Sequence, residues 1–279
     1  MSKLPLWLSR RLLALGCLLS TLAATAAPTP RIVSLSGTIS EIICDLGRQS
    51  QLVGVDVTST YPAALDKLPK VGHPRNISAE GVLAQSPTLV VGTTESLKPE
   101  VAAQLKSAGV RVELFKQTYS VDGTKQLIRE VAAAFGASAA VPALLKKLDS
   151  QLTQVRRPAQ APKVLFIYAR GTGTMMVAGG STQVEKIIQL AGGQNAATGF
   201  TEFKPLTAEA LVAANPDVLL LFDSGLQSLG GKAGLLQVPG IAQTTAGRTG
   251  RVVEMDGQLL TGFGPRLGLA ATELAKKLQ

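Results

Sequence analysis

Apolar and polar residues alternate in blocks along this chain. Short runs rich in leucine and β-branched residues at 31–35, 52–55, 89–91 and 110–114 are followed in the second half by runs at 164–168, 218–222 and 251–255. Each is the length of a buried strand, and the stretches between them carry apolar residues at helical spacing. Strands alternating with helices predict mainly parallel sheets covered on both faces. The expected fold class is therefore α/β, two doubly wound, Rossmann-like lobes with ligand sites beyond the strand ends.

The pattern also repeats. Ser78-Ala79-Glu80-Gly81-Val82-Leu83, continuing through Pro87 to Val91, returns as Thr207-Ala208-Glu209-Ala210-Leu211-Val212, continuing through Pro216 to Leu220. In both copies Ser or Thr caps a short helix, a proline follows its end, and an apolar run forms the next strand. A looser pair, Thr38-x-x-Glu41 and Thr182-x-x-Glu185, predicts capping boxes on two Ile-rich helices that stop near Gly47 and Gly192.

Between the halves, Leu144, Leu145, Leu148, Leu152 and Val155 share one helical face, Pro142 fits a first turn, and Pro158 and Pro162 end the run. This predicts one long helix over 138–158, roughly 25 Å at ~1.5 Å per residue. Such a connector is stiff and implies little lobe movement on binding. The expected units are a signal peptide at 1–26, a first lobe at 27–137, the helix, and a second lobe at 159–279.

Charge and composition set the destination. Lys3, Arg10 and Arg11 precede an apolar run at 12–22 and small residues through Ala27, which is a secretory signal cut before Ala27. The run is about half of the ~20 residues a membrane span needs, so the exported chain is not itself membrane-spanning. Ser9-Arg10-Arg11-Leu12-Leu13 faintly resembles a twin-arginine signal, and Leu15-Gly16-Cys17 a lipoprotein site. Past the signal only Cys44 remains, which excludes an intramolecular disulfide framework. Twenty-five basic residues then stand against 19 acidic ones, a dispersed +6, and no tryptophan is left, so a nucleic-acid face is not expected.

Catalytic constellations are missing. The chain has one histidine, His73, with no Gly-x-Ser-x-Gly elbow and no His-Glu-x-x-His. Gly171-Thr172-Gly173 lacks the next glycine of a dinucleotide loop, where Met176 stands, and Gly230-Gly231-Lys232-Ala233 lacks the Ser or Thr of a phosphate loop. Binding therefore fits better than catalysis, with an exported enzyme of unknown chemistry as the rival from another class.

The order of signal, α/β lobe, single helix and second lobe, with its paired Ser/Thr-Ala-Glu…Pro segments, resembles the helical-backbone substrate-binding proteins that deliver siderophores, cobalamin or heme to ABC importers. The resemblance spans essentially the whole chain past the signal. Within that family, the stretches 58–62, 71–81, 192–196 and 262–270 look like the bacterial periplasmic heme carriers. The resemblance implies a periplasmic monomer that binds heme as transported ligand and passes it to an inner-membrane permease dimer with its ATPase; cobalamin or a ferric siderophore is the alternative cargo. It implies that Tyr61 is the axial ligand of heme iron, a role that suits phenolate as a hard, anionic ligand of ferric iron. His73, in a Gly-His-Pro turn where the heme carriers more often have tyrosine, is the alternative ligand. Arg266, Arg75 and Arg170 are expected at the heme propionates, since a guanidinium pairs bidentately with carboxylate. Glu80 and Glu209 match the acids that dock onto permease arginines, equivalent groups on two similar lobes meeting a symmetric partner. From the residues alone, each acid would simply complement a helix dipole. Met175 and Met176 are expected to pack or to line the cleft.

Overall fold

The computed structural model describes residues 29–279, so the expected signal and its cut lie outside the described residues. The first half runs β1 (Ile32–Ser34), α1 (Gly37–Asp45), β2 (Leu52–Val55), α2 (Ala79–Leu83), β3 (Leu89–Thr93), α3 (Pro99–Ser107), β4 (Arg111–Phe115) and α4 (Val121–Ala134). Its four strands are parallel in the order β2-β1-β3-β4. Side chains alternate across this sheet: Ile32, Leu89 and Val91 pack with α1 and α4, while Val33 and Val90 pack with α2 and α3. Both faces are covered, which is why the strands read as continuous apolar runs.

After α5 (Val141–Leu152) come β5 (Lys163–Ala169), β6 (Met175–Ala178), α6 (Gln183–Leu190), β7 (Gln194–Asn195), β8 (Phe203–Pro205), α7 (Ala208–Ala214) and β9 (Val218–Phe222). Then follow α8 (Asp223–Ser228), α9 (Gly231–Leu236), α10 (Thr245–Thr249), β10 (Val252–Met255), α11 (Gly257–Thr261) and α12 (Leu267–Leu278). Strands β7, β5, β9 and β10 pair in parallel, in the order that repeats the first sheet. The second sheet differs by an insertion: β6 runs antiparallel to β5, and β8 antiparallel to β6. Lys163 and Val164 of β5 pair with β7, whereas Ile167, Tyr168 and Ala169 pair with β6. The extra strands thus lie at the carboxyl end of β5, where ligands of such sheets collect.

The strongest sequence repeat corresponds to a structural one. Ser78 Oγ accepts from the Gly81 N–H (3.1 Å), and Thr207 Oγ1 from the Ala210 N–H (3.2 Å), each capping its short helix. The looser pair splits. Thr182 caps α6 by accepting from the Glu185 N–H (3.1 Å), as expected. In the first half, however, α1 begins at Gly37 after Ser36, and no side chain caps it. Thr38 instead donates to the Gly262 carbonyl (2.5 Å), and Glu41 is buried against the second lobe. The expected capping box is corrected because the tertiary interface claims both side chains.

Helix α5 is also shorter than expected, 12 residues in place of 138–158. Thr153 Oγ1 donates back to the Ser150 carbonyl (2.8 Å), and the N–H groups of Gln154 and Val155 bond three residues back, which tightens and ends the helix. Val141, Leu144 and Leu145 pack into the core of the first sheet, Leu148 and Leu152 into that of the second. Helix α12 lies closely along α5 at Gly268, where a Cβ would come within 2.9 Å of the Leu148 carbonyl oxygen. Leu148 is fully buried. Leu148→Ala is therefore expected to cost about 2–5 kcal/mol in denaturant unfolding, and a loss below ~1 kcal/mol would contradict this packing.

Candidate functional site

A cleft of about 870 Å³ opens between the two sheets. Its two walls differ in chemistry. The first lobe contributes Ser36, Thr38, Thr58, Thr60, His73 and Arg75, a polar and basic wall. The second contributes Phe166, Tyr168, Phe203 and Phe222, joined by edge-to-face contacts such as Phe166–Phe222 at 4.9 Å, together with Met176 and the polar Arg170, Asp223, Ser224, Asp256 and Gln258. Met176 and Phe203 reach the cleft because β6 and β8 are there, so the inserted strands build the apolar wall. Met175, its side chain alternating to the other face, packs into the core. A smaller hollow of about 420 Å³ beside α6 and residues 193–200 shares no lining residue with the cleft.

Tyr61 stands beside the cleft, 41% exposed, on the loop after β2, and its neighbour Thr60 lines the cavity. Asp56, fully buried, organises that loop. Its carboxylate accepts from the Thr58 N–H (2.9 Å), the Thr58 hydroxyl and the Ser59 hydroxyl (2.5 Å). Ser59 in turn reaches Ser40 (2.8 Å), and Lys70 donates to the Ser59 carbonyl (2.9 Å). An Asp followed by Thr and Ser after a strand is a turn signal, and it was the one trace of this scaffold in the sequence.

Arg266, at the start of α12, crosses from the second lobe. Its guanidinium carbon lies 3.6 Å from the Tyr61 ring centroid, a close cation–π contact, and Nη2 donates to Glu41 Oε2 at 2.9 Å. Both partners are largely buried, the side chains 14% and 4% exposed. Burial pushes the Glu41 carboxyl above the ordinary carboxylate range, with Arg266 opposing the shift and Asp45 adding to it. Glu41 Oε1 and Arg266 Nε have no hydrogen-bond partner among the described residues. Neither Arg266 nor Tyr61 is among the residues that line the cleft. The structure sets Arg266 against the Tyr61 ring, while the other two expected arginines face the cavity.

Gln258 of α11, unremarked in the sequence, makes the densest contacts here. Its Oε1 accepts from the Thr60 N–H (2.7 Å), the Thr60 hydroxyl (3.0 Å) and the Tyr61 N–H (3.0 Å). Its Nε2 donates to the Gly37 carbonyl (3.0 Å) and to Glu41 Oε2 (3.3 Å). Glycine at 37 admits this side chain, since a Cβ there would lie 3.1 Å from the Gln258 amide carbon.

His73 and Arg75 line the first wall, and Arg170 the second. His73 Nδ1 accepts from the Arg75 N–H (3.2 Å) and so caps a short turn. Burial, then the positive charges of Arg75 and Arg170, hold the imidazole below its ordinary value, so it stays neutral further into acid. A neutral ring that accepts at Nδ1 carries its proton on Nε2. Ligating iron through Nε2 would move that proton to Nδ1 and end the cap. Tyr61 faces no such competition. Glu80 and Glu209 are both exposed, in the first turns of the matching helices α2 and α7.

Among the described residues, no three His, Cys, Asp or Glu side chains gather to hold a metal ion, and no helix is long and apolar enough to cross a membrane. Residues 32–259 match the profile of the periplasmic binding proteins. The apo form of RhuT, a periplasmic heme-binding protein from Roseiflexus sp. RS-1, is 44% identical and superposes with a TM-score of 0.86 over 90% of this chain and 98% of its own. The periplasmic heme-binding protein BhuT, in complex with two hemes, is 41% identical, with a TM-score of 0.83 over 89% and 97%. A cobalamin-binding protein of Halobacterium salinarum is 27% identical over 247 residues, 85% of this chain and 66% of that protein. All three are binding proteins.

Proposed function

We propose that this chain, which belongs to the periplasmic binding protein family, captures heme in the cleft between its lobes and delivers it to an ABC importer. The observation that carries the reading is Tyr61, exposed beside a cleft whose second wall carries four aromatic rings, with the guanidinium of Arg266 against its own ring. An aromatic wall suits the porphyrin faces, and Arg75 and Arg170 on opposite walls suit its two carboxylates. A metal that arrives in its own macrocycle needs one protein ligand, and Tyr61 supplies it. No bond of the cargo is made or broken, so the protein is a carrier, with no catalytic role.

The same reading covers the rest of the molecule. Residues 27–137 and 159–279 act as the binding lobes with α5 as their connector, in a monomer exported to the periplasm by a signal at 1–26. Glu80 and Glu209 present one acid from each lobe to a permease dimer that works with its ATPase. Cobalamin is the second reading, favoured by the more distant relative.

Titrating the purified protein with hemin, and separately with cyanocobalamin, tests the cargo. Wild type is expected to give a high-spin ferric spectrum with a phenolate charge-transfer band. Tyr61→Ala should lose that band and weaken binding by about 100-fold, the upper end of what removing groups around a metal does. Hemin spectra and affinity unchanged in Tyr61→Ala would overturn the ligand assignment, and binding of cyanocobalamin alone would overturn heme.

A further inference from the structure

We propose that Gln258 is a positioning residue for Tyr61, an amide latch through which the orientation of the second lobe sets the place of the iron-ligating loop. This rests on the heme reading for its purpose, but the latch is a property of the ligand-free protein. Every polar site on the Gln258 amide is used, and every partner belongs to the other lobe. Because Oε1 faces three donors and Nε2 two acceptors, the orientation of the amide is fixed by its surroundings.

The Tyr61 N–H donates to Gln258 Oε1. The backbone that carries the phenol is therefore tied to α11 directly. The other end of the amide holds the Gly37 carbonyl at the start of α1 and the carboxylate that receives Arg266. Gln258 thus joins the loop that carries the phenol to the ion pair beneath its ring. A neutral side chain is needed at this point, since a carboxylate would face Glu41 and a cation would compete with Arg266.

The same segment makes further cross-lobe contacts that do not touch the Tyr61 loop. Gly262 accepts from Thr38 (2.5 Å) and Gln117 (2.6 Å), and the Phe263 carbonyl accepts from Thr124 (3.0 Å). Residues 257–266 are thus docked on the first lobe as one unit. A small parting of the lobes at the cleft would draw Gln258 away from Thr60 and Tyr61 and remove this restraint, leaving the loop to its Asp56 scaffold. Retention and release of cargo are coupled by this amide.

The test compares wild type with Gln258→Leu, which keeps the volume and removes the polar atoms, and with Thr124→Val, which breaks another cross-lobe bond away from Tyr61. Amide exchange at Tyr61 is read without hemin, and hemin dissociation and the charge-transfer band are read with it. Gln258→Leu should exchange the Tyr61 amide and release hemin at least about tenfold faster, the scale of one net hydrogen bond such as that of the Tyr61 N–H, and should shift the band; Thr124→Val should do none of these. Wild-type exchange at Tyr61 in Gln258→Leu overturns the latch, as does equal acceleration by Thr124→Val. Gln258→Asn, too short to reach the loop, gives the same comparison if the leucine variant does not fold. If wild type binds no hemin, the heme reading falls and the Tyr61 amide alone decides the latch.

Discussion

Arg266→Ala is expected to lower folding stability at neutral pH by about 3–5 kcal/mol, the scale for removing one partner of a buried ion pair. For a chain of this size that is roughly 6–20 °C in Tm. The reason lies with the partner left behind. Glu41 is almost wholly buried, and its Oε2 would keep Gln258 but lose its counter-charge. The loss should depend on pH, with a sign the environment sets. Burial already raises the Glu41 carboxyl above its ordinary value near 4.5, and Arg266 opposes this. The folded protein therefore holds that proton more firmly than the unfolded chain does. Stability contributed by this group is present below the unfolded value and declines as pH rises through the folded one.

Without Arg266 the folded value rises further, and the decline deepens and extends toward neutral pH. The variant and wild type should accordingly converge near pH 4 and separate as pH rises, measured by denaturant unfolding across that range. Glu41→Gln added to Arg266→Ala should recover most of the loss at pH 7, because the stranded charge is then gone. A deficit in Arg266→Ala that is independent of pH would show that packing of the arginine stem, and not the pair, carries its contribution.

On the docking proposed for Glu80 and Glu209, reversing both, Glu80→Arg with Glu209→Arg, is expected to abolish transport while hemin binding stays as in wild type. Each acid lies exposed in the first turn of a short helix whose cap is supplied by a different residue, Ser78 or Thr207. The helices should therefore survive, at a cost below about 1 kcal/mol per site from the lost dipole complement. At the proposed permease contact the same change would set like charges against one another on both lobes, where disrupting a charge pair is worth about 2–5 kcal/mol each. Single reversals should leave partial uptake, and the double should leave none. Uptake of heme by cells carrying the double variant, at the wild-type rate, would remove the docking assignment and leave the acids as helix-dipole partners.

The contrast between the two Thr-x-x-Glu segments shows where sequence reasoning stopped. Both have a threonine and, three residues on, a glutamate before an isoleucine-rich helix, and local chemistry reads both as capping boxes. In α6 the threonine half of that reading holds, while Glu185 Oε2 accepts from the Ser181 N–H (3.0 Å), one residue before the cap. In α1 the same residue types are spent on the other lobe: Thr38 on the Gly262 carbonyl, Glu41 on Arg266 and Gln258. No local pattern distinguishes the two, because the partners are over 200 residues away along the chain. Gln258 was invisible for the same reason. A lone glutamine after a strand has no signature, and its importance arises from five hydrogen bonds to four residues of the other lobe.

The antiparallel pairing of β6 with β8 was not legible for a different reason. Strand β8 is three residues, Phe203-Lys204-Pro205, and has no apolar run to mark it. Yet the two strands supply Met176 and Phe203, and with them much of the cleft's apolar wall.

What the sequence determined by itself was everything that rests on neighbours along the chain: the alternation of strands and helices, the duplicated lobe with its two capped helices, and an apolar stripe on one helix between the halves. These follow from periodicity, capping and burial, which act over one turn or one strand. Only the tertiary structure decided which polar side chains would meet across the cleft. It set Arg266 against the Tyr61 ring while Arg75 and Arg170 faced the cavity, made His73 a cap, and gave Gln258 the phenol-bearing loop. Hydrogen bonds and ion pairs reach about 3 Å, so their choice waits until the two lobes have brought distant residues that close.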